Sequence, residues 1–276
     1  MPDAGGFARQ WRDGPRERAP PQMARIVQKT NCPEAREVVC CAMHLYGQYC
    51  PVARAAEILA DRWTLLIVRE LLADVDHFNE LERGLPGISR SLLADRLRLL
   101  VSAGVAERRS AEPGRRVEYR LTPAGGDLQK VIEVLGDWGA HWAFGDPRPN
   151  ELDPIVLLWW MRRRVCLDRL TKRRVLQFEF QGLPRTYWLL LQPAEASVCL
   201  QHPGFEIDLL VHGDIAVFYR VWLGRLTLSE AMNTGHLRIE GSPSDVRRFP
   251  HWFAWSPMAE RVRAASTSQQ LAAADL

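Results

Sequence analysis

No apolar run in this chain approaches the roughly 18 residues that a membrane-spanning helix needs. The longest, at 155–161, stops at three consecutive arginines. No apolar signal-peptide core follows Met1, so the chain is expected in the cytoplasm. Charge of one sign is scarce too. The formal net charge over 276 residues is only +3, and affinity for nucleic acid has to come from local basic patches. Catalytic signatures are missing: there is no G-x-G-x-x-G, no P-loop, no G-x-S-x-G and no H-E-x-x-H. No enzyme and no cofactor are expected. The six cysteines, Cys32, Cys40, Cys41, Cys50, Cys166 and Cys199, form no C-x-x-C and fit no paired framework, so a reducing compartment should hold them as thiols. Cys41 and His44 have a spacing that zinc could use, but the second tight ligand pair is missing and no metal is expected.

What is present begins at 78–122. A helix over 78–84 stops at Gly84, and Pro86 forbids its continuation. Ser89 is placed to cap a second helix running from Arg90 to Gly104, with Leu93, Leu97 and Leu100 at helical spacing. Two helices joined by a short glycine-containing turn make the helix-turn-helix plan. Ser91, Asp95 and Arg98 share the opposite face, with Arg90 at the exposed entry. About thirteen residues at ~1.5 Å each span ~20 Å, enough to cross a major groove ~12 Å wide. Two short strands follow around the E-P-G turn at 112–114, with Arg108, Arg109, Arg115 and Arg116 near the tip. Such a basic wing suits phosphates. Ser89, Arg90, Ser91, Arg98, Arg115 and Arg116 are therefore the candidate DNA contacts.

Elsewhere, residues 1–45 read as a flexible arm, rich in Arg, Pro and Gly early on. Cys50 precedes Pro51, a first-turn proline, and the helix dipole there favours a thiolate, which makes Cys50 the candidate redox residue. A helix over 61–72 should present Trp63, Leu66, Ile67 and Leu71 to the core. A helix begun at Thr122 and Pro123 should carry Leu128, Ile132, Leu135 and Trp138 as a dimer seam or a core closure. The linker 145–151 separates these residues from a second domain over 152–260. Its helix at 155–161 is too apolar to face water. The basic runs 162–164 and 172–174 read as solvated faces, with a DNA-facing surface as the alternative. Strands are expected at 175–180, 185–191, 196–200, 205–211 and 237–240, helices at 216–222, 227–233 and 245–255, and a disordered tail over 261–276. The fold class is mixed: a winged helix-turn-helix, then an α+β domain whose antiparallel sheet is covered by helices. An apolar pocket of roughly 300–1,000 Å³ should lie under those helices, with Trp188 and Trp222 as its candidate lining. Asp208, Asp214, Glu206 and His212 could form an acid–base cluster, or simply mark exposed strand positions and a turn.

Several motifs carry a resemblance. C-P-V-A at 50–53, D-R-W at 61–63, F-N-E-L at 78–81, G-I-S at 87–89, Leu93 with Arg96 and Leu97, G-V at 104–105, Y-R-L-T at 119–122 and G-D-W at 136–138 occur in one ordered series. In that order and spacing, residues 46–144 resemble the HxlR-type winged-helix transcriptional regulators. The resemblance implies a homodimer on a double-stranded operator, touched by the helix at 89–98 and by the wing. Some members of that family sense oxidants or electrophiles through a cysteine near the position of Cys50. Residues 152–256 resemble the sterol carrier protein-like fold, which implies an apolar tunnel for a hydrophobic small-molecule effector. Two alternatives stay open: a redox switch at Cys50 with a purely structural second domain, and a DNA-tethered lipid-transfer or enzymatic module.

Overall fold

The computed structural model describes residues 45–110 and 117–274. All but the last residue of the expected arm, the Cys41 and His44 pair, and the wing tip with Arg115 and Arg116 lie outside the described residues. Helix α1 (Pro51–Leu59) opens on the proline, with Cys50 as its extended N-cap. Helix α2 (Thr64–Leu72) begins later than residue 61, because Trp63 adopts a left-handed φ of 80° that no helix can include. Helices α3 (Phe78–Gly84) and α4 (Arg90–Ser102) form the expected pair. Ile67, Val68, Leu81, Leu93, Leu97 and Leu100 make one buried cluster between α2, α3 and α4.

Strands β1 (Ala106–Arg109) and β2 (Glu118–Leu121) pair antiparallel, Ala106 opposite Leu121, as a wing requires. The single helix expected after Thr122 is broken. Its first turn is α5 (Pro123–Gly126), where the Thr122 hydroxyl donates to the Gly104 carbonyl at 2.6 Å. A Cβ on Gly125 would come 2.1 Å from the Val105 carbonyl oxygen, so glycine is needed here for close approach. The main helix restarts as α6 (Gln129–Trp142).

The second domain opens on α7 (Pro154–Arg163), whose first amides are capped by the Asp153 carboxylate at 2.8 and 3.4 Å. Strands β3 (Arg174–Phe180), β4 (Thr186–Leu191) and β5 (Ala196–Cys199) follow. After the loop 200–208 come β6 (Leu209–Gly213), α8 (Ile215–Trp222), α9 (Leu228–Asn233), β7 (Leu237–Gly241) and α10 (Pro243–Arg248). The sheet order is β5-β4-β3-β6-β7. The α+β class holds, but the sheet is mixed: β6 runs parallel to β3, while the other three ladders are antiparallel. Leu176, Phe178, Leu189, Leu191 and Val211 face inward and meet Leu157, Leu158, Phe218 and Trp222 from α7 and α8.

Two expectations at the C-terminal end fail. The helix proposed over 245–255 is three pieces: α10, a 3₁₀ turn at Phe249–Trp252 and an extended Phe253 bridged to Val165. Pro250 sits within that turn, where an α-helix would lose a donor. The tail expected to be disordered is instead helix α11 (Ala259–Ala274). Alanine-rich sequence favours helix, and tertiary contact supplies the remainder. Ala259, Val262 and Ala265 are buried, and Arg261 reaches the Asp137 carboxylate of α6 at 2.5 Å. Among the described residues no helix is long and apolar enough to cross a membrane.

Candidate nucleic-acid interface

Helix α4 stands with its first turn in solvent. Ser89 is the N-cap, its hydroxyl accepting from the Leu92 amide at 3.3 Å and lying 3.2 Å from the Ser91 hydroxyl. Ser91, Arg90 and Arg98 are exposed, while Leu93, Leu97 and Leu100 anchor the other side. The candidate residues at 89–98 therefore share one accessible surface. Arg98 pairs with Asp95 on its own helix. Arg96 is no candidate on that surface: it turns inward to Asp61 at 2.6 Å and ties α4 to the turn before α2.

Arg90 is held from α3. Its guanidinium pairs with Glu82, donates to the Asn79 side-chain oxygen at 3.2 Å, and lies 4.9 Å from the centre of the Phe78 ring. The wing adds Arg108, Arg109 and Arg120, all exposed. Arg109 faces Glu107 at 2.5 Å, and Arg120 faces Glu118 at 3.1 Å and Asp76 at 3.6 Å. Arg120 was not singled out from the sequence, although strand alternation from Tyr119 places it on the solvent side. Chemically, this face offers planar guanidinium donors beside a groove-length helix, with Arg90, Arg98, Arg109 and Arg120 each beside a carboxylate.

The two tryptophans chosen for a ligand pocket are not brought together. Trp222 lies in the core, 2% exposed, its ring 5.6 Å from Trp255. Trp188 points from the opposite side of the sheet, since Tyr187, Leu189 and Leu191 take the inner positions of β4. There its indole N–H donates to Gln177 at 3.0 Å and its ring meets His202 edge-on at 5.6 Å. Under the helices, Leu157, Leu158, Phe178, Phe218 and Trp222 are almost wholly buried. Burial raises the Tyr219 phenol's pKa, helped by Asp153, and the hydroxyl donates to the Asp153 carbonyl at 2.9 Å.

The suggested acid–base cluster dissolves into structural roles. Asp208 pairs with Arg174 at 2.9 Å and Asp214 caps α8 by accepting from the Ala216 amide at 2.7 Å. His212 lies on the open sheet face, 3.8 Å from Glu179, and Glu206 is exposed in the loop. The arginine run at 162–164 is not a solvated face either. Arg162 donates to the Ala196 carbonyl at 2.6 Å, Arg164 donates to that of Ala254 at 2.6 Å, and Arg163 reaches Glu70 at 2.5 Å. Glu70 is buried on α2, so Arg163 joins the two domains. Trp159 of α7 reinforces the joint, with Arg83 of α3 5.3 Å from its ring centre. Cys50, the redox candidate, is half-buried at the start of α1 with a free thiol.

Helix α6 has three sides. Leu128 and Ile132 meet the winged-helix core, and Glu133 and Asp137 meet Arg261 of α11. The third side carries Val131, Val134, Leu135, Trp138 and Trp142. Val134, Trp138 and Trp142 are 68, 58 and 71% exposed.

Comparison with known proteins agrees with this architecture. Residues 58–146 match the HxlR-like helix-turn-helix family, and residues 167–252 match the SCP-2 sterol transfer family. Rv3095 of Mycobacterium tuberculosis, named an uncharacterized HTH-type transcriptional regulator, is 48% identical over 126 residues, which are 45% of this chain and 73% of that one. YvaP of Bacillus subtilis, described in the same words, is 36% identical over 98 residues, 35% of this chain and 91% of its own. The reduced form of the B. subtilis transcriptional regulator YodB is 32% identical with a TM-score of 0.31, over 35% of this chain and 96% of that one. The chain belongs to the HxlR-like helix-turn-helix transcriptional regulators, and behind its DNA-binding domain it carries a domain of the SCP-2 sterol transfer family.

Proposed function

We propose that this regulator binds operator DNA as a two-fold homodimer, reading bases from the first turn of α4 and gripping phosphates with the wing. The observation that carries the reading is the third side of α6, a stripe of five exposed apolar side chains. Leu45, Tyr46, Tyr49 and Val52 add further exposed apolar surface at the start of the described chain. A second copy covers such a patch by symmetry, and two reading helices then address half-sites about 10 bp apart or a multiple of that. Sedimentation of the full chain and of Trp138→Glu tests this. The wild type should sediment as a dimer at micromolar concentration, and the variant as a monomer with weak operator binding. A wild-type monomer bound one per site ends the reading.

The same proposal gives the second domain control over DNA affinity. Two joints support it: α7 touches the reader through Arg163 with Glu70 and Trp159 with Arg83, and α11 lies along α6. A hydrophobic effector that favours one arrangement of these joints changes DNA affinity by the same coupling factor. Tryptophan fluorescence of the full chain, titrated with fatty acids or sterols with and without DNA, reads that coupling. The redox alternative rests on Cys50 at the α1 N-terminus. Cys50→Ser should abolish a diamide response there, and leave it unchanged if the C-terminal domain is the sensor.

A further inference from the structure

We propose that Glu82 restrains DNA binding by holding Arg90 of the reading helix until a matching base pair displaces it. The inference rests on the reading of α4 as the base-contacting helix, and it adds a residue outside that helix.

Phe78, Asn79 and Glu82 occupy one side of α3 and converge on a single guanidinium. The ring of Phe78 supports its flat face at 4.9 Å, the Asn79 oxygen accepts at 3.2 Å, and Glu82 takes the Nη1 edge. Stability does not explain this arrangement. Arg90 is 62% exposed at its side chain, and exposed ion pairs contribute little to folding. What it does fix is direction, because a guanidinium lying on an aromatic ring has few orientations left for its N–H edges.

The edge that Glu82 occupies is the edge an arginine uses on DNA. A guanine offers two acceptors, O6 and N7, matched to the planar fork of arginine. That bidentate pair can replace a carboxylate, whereas a single phosphate oxygen met in passing replaces it less well. Once displaced, the Glu82 carboxylate lies beside the polyanion and repels any duplex alike. Glu82 therefore penalises all DNA, and the matched site, where Arg90 has to leave it, loses the most.

The test uses the full chain and two duplexes, one carrying the site selected by the wild type from a random library and one of mixed sequence. Glu82→Gln keeps the side chain's size, and a thermal melt verifies that it folds. Its affinity for the mixed duplex should rise about threefold to tenfold, with the salt slope steeper by about 0.9, as one more phosphate is neutralised by the released arginine. Affinity for the selected duplex should rise more, because only there does Arg90 have to leave Glu82 for a base, so the ratio between the two rises. In an Arg90→Ala background the same substitution should shift both duplexes by one common factor. Equal shifts on both duplexes with Arg90 present overturn the role of Glu82. Arg90→Ala leaving both affinities unchanged overturns instead the underlying reading of the α4 first turn.

Discussion

At the scale of single residues, the short-range roles were legible and the long-range ones were not. Ser89 and Thr122 sit at their caps because a cap is decided within three or four positions. Arg163 could not be assigned, since its partner Glu70 is 93 positions away and nothing local distinguishes it from its neighbours in an arginine run. Trp188 illustrates a third case: both faces of β4 are apolar, so alternation alone does not say which side is inner. Tyr219 yields a prediction. Tyr219→Phe removes one buried hydrogen bond and should cost about 1 kcal/mol near neutrality. Because burial raises the folded phenol's pKa above its ordinary value of about 10, its contribution is complete below that pH and is lost as pH rises. Urea unfolding at about pH 8 and about pH 11 should show wild-type stability falling more than that of the variant.

Elements were read well where apolar period and punctuation agree, as in α3, α4, β3 and α8. They were misread where a local rule yields to packing. The helix after Thr122 breaks past Gly126, and Gly125 within its first turn lies against the Val105 carbonyl. Gly125→Ala should therefore cost about 2–4 kcal/mol, through forced separation of the wing from the turn rather than through lost propensity. Chemical denaturation would show the loss, and an unchanged midpoint would mean that the contact relaxes freely. Helix α11 was missed for the opposite reason: its small residues have good helix propensity but a weak apolar stripe, and its partner α6 lies in another domain. Removing residues 259–276 should leave α6 without Arg261, and hydrogen exchange at residues 133–141 should quicken. Unchanged protection there would make α11 a passenger.

For the whole molecule, a winged helix-turn-helix followed by an α+β domain was legible from motif order and strand pattern, but their joining was not. The linker is tied down by Arg220 to Asp146 at 3.1 Å and by Arg225 to the Gly145 carbonyl at 2.7 Å. The parallel β3–β6 pair was equally hidden, since strands that pair across a crossover share no local signal. Arg163→Met should leave Glu70 buried with only Arg69 beside it, at a cost of about 3 kcal/mol. Calorimetry should then resolve two transitions where the wild type shows one, because the domains no longer unfold together. A single transition at the wild-type temperature would show the joint to be energetically idle. The position of α11 also has a bearing on synthesis. Domains fold as they leave the ribosome, N-terminal first, so the reader emerges and folds a whole domain before residues 259–274 arrive to cover the Glu133 and Asp137 side of α6. During that interval the nascent chain already presents its apolar stripe, and two chains growing on neighbouring ribosomes can meet through α6 before either has acquired the helix that links it to its own C-terminal half.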